Sequence, residues 1–385
     1  MDEQTLPPHQ KPRKRNPSAQ PLPEDPLILG DALRVLKTLP PASVDLVFAD
    51  PPYNLQLKND LWRPNLTMVD RSAKEWDELG DFATYDEFTE AWLSALRPLM
   101  KRRSSLWVSG TYHNIFRIGR LLQDLGFWLL NTITWYKPNA MPNFSGTRLK
   151  NDVEFIIWAQ KMERGSKTFR HHVAKQFNDF RPGKQLGSVW RIPACGGKER
   201  LKDAQGRKLH ATQKPEELLT RIILSSSRRG DLVLDPFLGT GTTAVVAKRT
   251  HRRWLGIEKD PAYLAIAAKR IAGITPLLEN HPLLHETRPP LRIPFPQLLE
   301  AGLLRAGQAL FLDHPPHEAI ILPDGQLQVG DERGSIHQLG ARLKGTPACN
   351  GWMHWRYLDP RGQWQKLDQL RRQLRREPRH RKPNP

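Results

Sequence analysis

The run Val233-Leu234-Asp235-Pro236-Phe237-Leu238-Gly239-Thr240-Gly241-Thr242-Thr243 constrains the fold more than any other stretch of the chain. It sets a glycine turn between an apolar strand and a helix, where a ligand can approach backbone that no Cβ shields. A second short strand, Leu255-Gly256-Ile257-Glu258, closes in a carboxylate 23 residues beyond Asp235. Strand, helix and strand in this order demand a parallel sheet with the ligand at its carboxyl edge. A Gly-x-Gly turn alone admits a nicotinamide cofactor as readily as any other nucleoside. Asp235 at the mouth of the turn argues otherwise, because a carboxylate repels a pyrophosphate and attracts an ammonium such as that of S-adenosylmethionine. Glu258 is placed to accept hydrogen bonds from ribose hydroxyls.

The alternation continues upstream. Leu27–Leu29 reads as a strand, Asp31 to Thr38 as a short helix that Asp31 could cap, and Val44 to Ala49 as a buried strand. Thr84 and Glu87 form a capping box for a helix reaching Leu96. Ser105 to Ser109, His113 to Leu125 and Phe127 to Tyr136 then read as strand, helix and strand. Residues 137–190 are less regular and read as an inserted target-recognition region. Order returns at Pro215, in the first turn of a helix, and continues through Asp231–Asp235, Thr242–Lys248, Trp254–Glu258 and Ala262–Ile271. The expected domains are a basic, proline-rich disordered tail at 1–26, a catalytic domain at 27–274, a proline-rich linker at 275–297 and a smaller domain at 298–385. In that last domain Ala319–Leu322 and Gly334–Leu339 read as strands.

Asp50-Pro51-Pro52-Tyr53 follows directly on the strand Val44–Ala49, at the edge where open α/β sheets hold their ligands. The prolines fix φ and remove two N–H groups, which leaves carbonyls as acceptors on a stiff turn. An exocyclic amine has two protons to donate. The Asp50 carboxylate and a turn carbonyl can take one each, and Tyr53 can stack on an extruded base. A sulfonium methyl is already activated, so positioning suffices and no strong base or covalent nucleophile is required.

Lys and Arg number 59 against 40 Asp and Glu in 385 residues, a net charge of +19, and a polyanion is the natural partner for such a surplus. The only cysteines, Cys195 and Cys349, form neither a disulfide framework nor metal-ligand spacing, so no metal is expected and a reduced cytoplasmic setting is. No long apolar run suggests a membrane span.

With both motifs in view, the chain resembles the β group of DNA amino-methyltransferases. It is most similar to the cell-cycle-regulated adenine-N6 enzymes and their restriction-system relatives that act on GANTC. The resemblance spans about Leu27 to Leu370. It is carried by the runs Asp50 to Leu57, Tyr112 to Arg117, Leu121 to Trp128, Met141 to Phe144 and His210 to Glu216, by the Asp235 segment, and by Gly334 to His337 and Pro347 to Trp352.

The resemblance implies a Rossmann-like methyltransferase fold, mixed but mostly parallel with helices on both faces, plus a small C-terminal α+β DNA-binding domain. It implies that Asp50, Pro51, Pro52 and Tyr53 hold the target adenine. Asp235, Phe237, Gly239, Gly241, Thr242 and Glu258 would hold S-adenosylmethionine, with Asp31 and Lys214 against it. Ser335, Asn350 and Trp352 would contact DNA, and the enzyme would work as a dimer beside the nucleoid. Leu57 and Leu61, in the long polar loop after the catalytic turn, either wedge between bases or pack that loop down. Two departures stand out: Leu238 replaces a common second Phe, and Asn151-Asp152-Val153-Glu154 replaces an Asn-Ala-His-Glu run. Rival readings are an N4-cytosine enzyme, which more often resembles Ser-Pro-Pro-Tyr, and a DNA-binding regulator with a decayed catalytic core.

Overall fold

The computed structural model describes residues 22–23, 26–54, 79–143, 146–162, 167–210, 212–284, 293–312 and 316–376. The chain divides into two compact units, Met1–Thr287 and Arg288–Pro385, and the division falls inside the stretch read as a linker.

Among the described residues the first unit is built on eight strands: β1 (Leu27–Leu29), β2 (Val44–Ala49), β3 (Met100–Gly110), β4 (Trp128–Tyr136), β5 (Val153–Gln160), β6 (Val189–Arg191), β7 (Leu232–Asp235) and β8 (Arg253–Glu258). They lie in the order β1-β8-β7-β2-β3-β5-β4-β6. All neighbours pair in parallel except β5, which runs antiparallel to both β3 and β4. Among the described residues, helices α1 (Ala32–Leu36), α2 (Phe82–Leu99), α3 (Ile115–Asp124), α4 (His171–Ala174), α5 (Glu216–Ser226), α6 (Thr242–Arg249) and α7 (Pro261–Ala272) connect them.

Strand β2 shows why both faces are covered. Val47 and Ala49 pack into a core with α1, α2 and α3, while Leu46 and Phe48 pack into a second core with α5 and α6. A strand buried on both sides is apolar throughout, as the sequence Val-Asp-Leu-Val-Phe-Ala nearly is. In the second core Trp107 stacks on Trp158 at 4.9 Å, with Trp190 at 6.0 Å.

Three sequence expectations change here. Residues 153–160, read within an irregular insertion, are the strand β5 between β3 and β4; burial of Ile156–Gln160 on both faces removes the alternation that marks a half-buried strand. The N-cap of α2 is Asp81, whose Oδ1 accepts from Thr84 N at 2.8 Å, so Thr84 lies inside the helix, which runs on to Leu99. The run Gly334–Leu339 is not a strand. Ser335 and Gln338 close a reciprocal capping box there and start a helix, with Ile336 and Leu339 turned into the core at helical spacing.

That helix belongs to the second unit, whose strands β9 (Ala309–Leu312), β10 (His317–Ile321), β11 (Leu327–Val329), β12 (Glu332–Gly334), β13 (Trp355–Leu358) and β14 (Trp364–Lys366) form a separate antiparallel sheet. Helices α8 (Pro296–Glu300), α9 (Ile336–Leu343), α10 (Gly351–His354) and α11 (Leu367–Arg376) complete it. Its core gathers Phe295, Leu298, Leu310, Leu339, Trp352 and Trp355. Among the described residues no helix is long and apolar enough to cross a membrane.

Candidate active site

The sheet order brings the chemistry to one edge. Strands β2, β3, β4, β7 and β8 all end there, and β5, running the other way, begins there. Asp50, Ser109, Lys137, Asp235 and Glu258 therefore share an edge with Glu154. A cavity of about 660 Å³ opens between these ends, within the usual range for a small-molecule site. Its walls include Asp31, Asp50–Tyr53, Lys214, Asp235, Phe237, Gly239, Thr242 and Glu258. One cavity thus collects the expected catalytic turn and, except for Gly241, every expected cofactor residue. Gly241 stands behind the wall as the N-cap of α6.

The glycine turn is shaped by its neighbours. Gly239 and Gly241 adopt φ of 55° and 82°, left-handed values that other residues rarely hold. A Cβ on Gly241 would stand 3.0 Å from the Ala267 Cβ of α7. Gly241→Ala is expected to cost about 1–3 kcal/mol of stability, from strain and overpacking together, as read by denaturant unfolding. Unchanged stability would show that the turn relaxes freely.

Glu258 draws the turn onto β8. One carboxylate oxygen accepts from Gly239 N at 2.7 Å and the other from Asp260 N at 2.9 Å. Burial raises its carboxyl above the ordinary value. Asp31 accepts from Arg34 N and caps α1 while lining the cavity, so capping and ligand contact are compatible roles for it. Phe237 is held edge-on by Trp92 at 5.5 Å, with Phe88 at 6.1 Å. Thr242 donates its hydroxyl to the Lys214 carbonyl at 3.3 Å and so ties α6 to the lysine's loop.

Asp235 is buried, and its partners are neutral: Phe237 N at 3.0 Å and the Thr243 hydroxyl at 2.5 Å. Among the described residues it forms no ion pair. Burial, reinforced by the charges of Asp50 and Glu258, pushes its carboxyl up to about 7 against the opposing hydrogen bonds.

The Asp50–Tyr53 turn is clamped from two sides. Tyr53 donates its hydroxyl to Asp50 Oδ1 at 2.7 Å, and Lys214 Nζ donates to Asp50 Oδ2 at 2.6 Å. The Tyr53 ring is buried, its hydroxyl also lies 3.3 Å from Ser109 Oγ, and the Lys214 ammonium sits 5.1 Å from its centroid. Burial first, and then the charges of Asp50 and Glu154, raise the Tyr53 phenol well above its ordinary value, so it stays a donor. For Lys214 burial acts to lower the ammonium, but Asp50 and Glu154 overcome it and hold it above the ordinary lysine value. The Pro52 carbonyl accepts from the Tyr85 hydroxyl at 3.1 Å. Among the described residues the Pro51 carbonyl accepts no hydrogen bond.

Sequence reasoning missed several residues of this site. Glu154 and Lys137 join it through a 2.8 Å ion pair, and their strand-end placement follows from a sheet order that strand spacing does not reveal. His210 packs on Tyr263 at 4.7 Å and both line the cavity; His210 opens a run that had already been singled out, from which only Lys214 was carried forward. Leu57 and Leu61 lie outside the described residues.

The expected DNA contacts lie in the second unit. Ser335 caps α9, and Asn350 is exposed at the N-cap of α10. Gly351 presses on the start of α9, where a Cβ would come within 2.3 Å of the Ile336 carbonyl, so Ser335 and Asn350 are near neighbours. Trp352 is different: it is only 5% exposed, packed by Phe295 at 6.2 Å and covered by the Arg371 guanidinium at 4.6 Å. Its ring is core and offers DNA little surface.

Comparisons with known proteins agree with this geometry. Residues 44–269 match the DNA methylase family, and residues 279–380 match the family described as Restriction Enzyme Adenine Methylase Associated. The chain is 42% identical over 346 residues to the type II methyltransferase M.HinfI of Haemophilus influenzae, covering 90% of this chain and 95% of that protein. It is 39% identical over 251 residues to the type II methyltransferase M2.MboI of Moraxella bovis, covering 65% and 89%. Among solved structures, the cytosine-N4-specific PvuII DNA methyltransferase shares the fold, with a TM-score of 0.50 at 22% identity over 67% of this chain and 88% of that one. The chain belongs to the DNA methylase family, and it is a DNA methyltransferase.

Proposed function

We propose that this enzyme transfers a methyl group from S-adenosylmethionine to N6 of adenine in duplex DNA, on a base turned out of the helix. The observation that carries the reading is the clamped Asp50. With Tyr53 on one oxygen and Lys214 on the other, its remaining lone pairs have a fixed direction at the cavity wall. Asp50 and the Pro51 carbonyl accept hydrogen bonds from the two amine N–H groups and turn the nitrogen lone pair toward the methyl donor. As the N–C bond forms and the S–C bond breaks, the sulfide leaves uncharged and the one surplus N6 proton passes by way of Asp50 to water. Tyr53 lines the wall on which the base stacks.

The cavity suits a cationic nucleoside. Asp235 is a buried carboxyl without a cationic partner among the described residues, and Asp31, Gly239 and Glu258 line the same wall. S-adenosylmethionine, when bound, supplies the activated methyl group. Asp235 binds the cofactor's ammonium, Glu258 takes the ribose, and Phe237 packs beside the adenine. Asp at position 50 and the adenine-methylase-associated match at 279–380 favour adenine over cytosine. Ser335 and Asn350 serve DNA contact in the second unit, Trp352 supports them from beneath, and the enzyme acts as a dimer on GANTC. Single-molecule sequencing of DNA from cells expressing the protein tests base, atom and context together. N6-methyladenine in GANTC is expected; N4-methylcytosine, or no new modification, would overturn the reading.

The state of Asp235 predicts a pH dependence. A carboxyl raised to about 7 is largely protonated in the ligand-free fold below neutrality. A cationic ligand binds its ionised form, so binding releases a proton and affinity rises with pH through about 7, by up to roughly tenfold per unit on the acid side. For folding the sign is opposite. The native state holds a proton that the unfolded state sheds from about pH 4 upward, so this group's contribution to stability declines as pH rises to 7. Titration calorimetry of cofactor binding in two buffers of different ionisation heat should show proton release near pH 6.5 that Asp235→Asn abolishes. Release undiminished in the variant would assign the proton elsewhere.

A further inference from the structure

Two of the four charged side chains at the catalytic turn have no assigned part in the reaction. Lys137 Nζ donates to Glu154 Oε1 at 2.8 Å, while Glu154 Oε2 lies 3.9 Å from Lys214 Nζ and 3.5 Å from the Tyr53 hydroxyl. Lys214 in turn holds Asp50. The side chains are 11% (Lys137), 15% (Glu154), 6% (Lys214) and 17% (Asp50) exposed, so water screens them poorly. They form a chain of alternating charge, Lys137, Glu154, Lys214, Asp50, with a net charge of zero. Only its Asp50 and Lys214 end lines the cavity.

Neutrality matters to a site that must take up a cation. Without Glu154 the two lysines of this chain would face Asp50 alone, and the chain would carry one uncompensated positive charge beside the cavity. That charge would act through Lys214, which the fields of both Glu154 and Asp235 reach. Glu154 Oε2 also backs both donors that clamp Asp50, and its removal would loosen both together.

We propose that Glu154 is a positioning residue that sets the charge of the site: it offsets the two lysines so that the cavity accepts a sulfonium cofactor and does not favour its neutral sulfide product. The proposal rests on the reading of S-adenosylmethionine as the cofactor. It assigns Lys137 the role of holding Glu154 and, in the absence of Glu154, makes Lys137 a liability.

The test compares the affinities of the purified full-length protein for S-adenosylmethionine and S-adenosylhomocysteine, which differ in the sulfonium charge. Glu154→Gln is expected to weaken S-adenosylmethionine binding about tenfold relative to S-adenosylhomocysteine, the scale of one poorly screened unit charge acting across roughly 10 Å. The double variant Lys137→Gln with Glu154→Gln restores a net charge of zero and is expected to bring the affinity ratio back to within about threefold of the parent. Equal weakening toward both ligands, an unchanged ratio, or failure of the double variant to restore it would each overturn the proposal and leave Glu154 a structural residue. If the parent protein binds neither ligand, the cofactor reading itself fails, and the two failures are thereby told apart.

Discussion

Asp50→Ala lowers the rate of methyl transfer roughly 10²- to 10³-fold, the usual cost of losing one preorganised polar contact to the reacting group. DNA binding should change little, because the lost acceptor acts on the amine as its charge develops. S-adenosylmethionine binding should weaken about tenfold, since one negative charge is lost beside Lys214, so the rate is read at saturating cofactor. The structure makes this a clean experiment. After the substitution Lys214 still lies 3.9 Å from Glu154, so its buried charge keeps a counter-ion, and Tyr53 still has Ser109 at 3.3 Å. Asp50→Asn retains one side-chain oxygen and should lose less, about tenfold, since that oxygen must serve either Lys214 or the amine. Single-turnover transfer of a labelled methyl group to duplex DNA measures both. Transfer by the alanine variant within threefold of the parent would remove Asp50 from the mechanism.

The site was legible wherever it is local in the chain. Val44–Ala49 with Asp50 directly behind it, and Val233–Asp235 with the Gly239 and Gly241 turn, each carry strand, strand end and chemistry within a dozen residues. The helix and strand readings around them also follow from short-range apolar spacing. What escaped is set by sheet order. Glu154 reaches Lys214 and Tyr53 because β5 is inserted antiparallel between β3 and β4, which turns its first residues toward the edge where the parallel strands end. Nothing in the spacing of Val153–Gln160 marks that reversal. Its uniform burial erased the alternation, and its proline-containing approach made the whole stretch look irregular. The start of α2 was displaced for a different reason: Asp81 and Thr84 are both competent caps three residues apart, and the earlier one wins by adding a turn.

The shared sheet edge and the charge chain tie two distant stretches of sequence together. Lys214, ahead of α5, is held by Thr242 from behind and delivers its ammonium to Asp50 in front. The glycine turn and the Asp50–Tyr53 turn are therefore linked through one residue, by its carbonyl to Thr242 and its ammonium to Asp50. A change in the glycine turn that displaces α6 should shift Lys214 and reach Asp50, so defects in cofactor binding and in chemistry are expected to appear together.

Trp352→Ala should unfold the second unit well before the first, at a cost of about 3–5 kcal/mol, the range for deleting a large aromatic side chain from a packed core. The ring is 5% exposed among Phe295, Leu298 and Leu339, with Arg371 over its face, so the substitution leaves a cavity and also strips a cation–π contact. Two reasons that a tryptophan after Asn-Gly can be essential are thereby separated. A DNA contact would be lost without loss of stability, whereas a core residue takes the surface with it. Asn350 supplies the control, because it is exposed and its side chain caps nothing. Asn350→Ala should leave stability within about 0.5 kcal/mol, and if it reads a base edge it weakens specific DNA binding by about 1–3 kcal/mol. Urea unfolding of the full chain, followed with DNA-binding titrations of both variants and of Trp352→Phe, distinguishes the two roles. Phenylalanine keeps most of the apolar contact and the face toward Arg371, so it should recover most of the stability and the DNA affinity. A Trp352→Ala protein that melts like the parent yet no longer binds DNA would return Trp352 to the interface and show that the unit opens to present it.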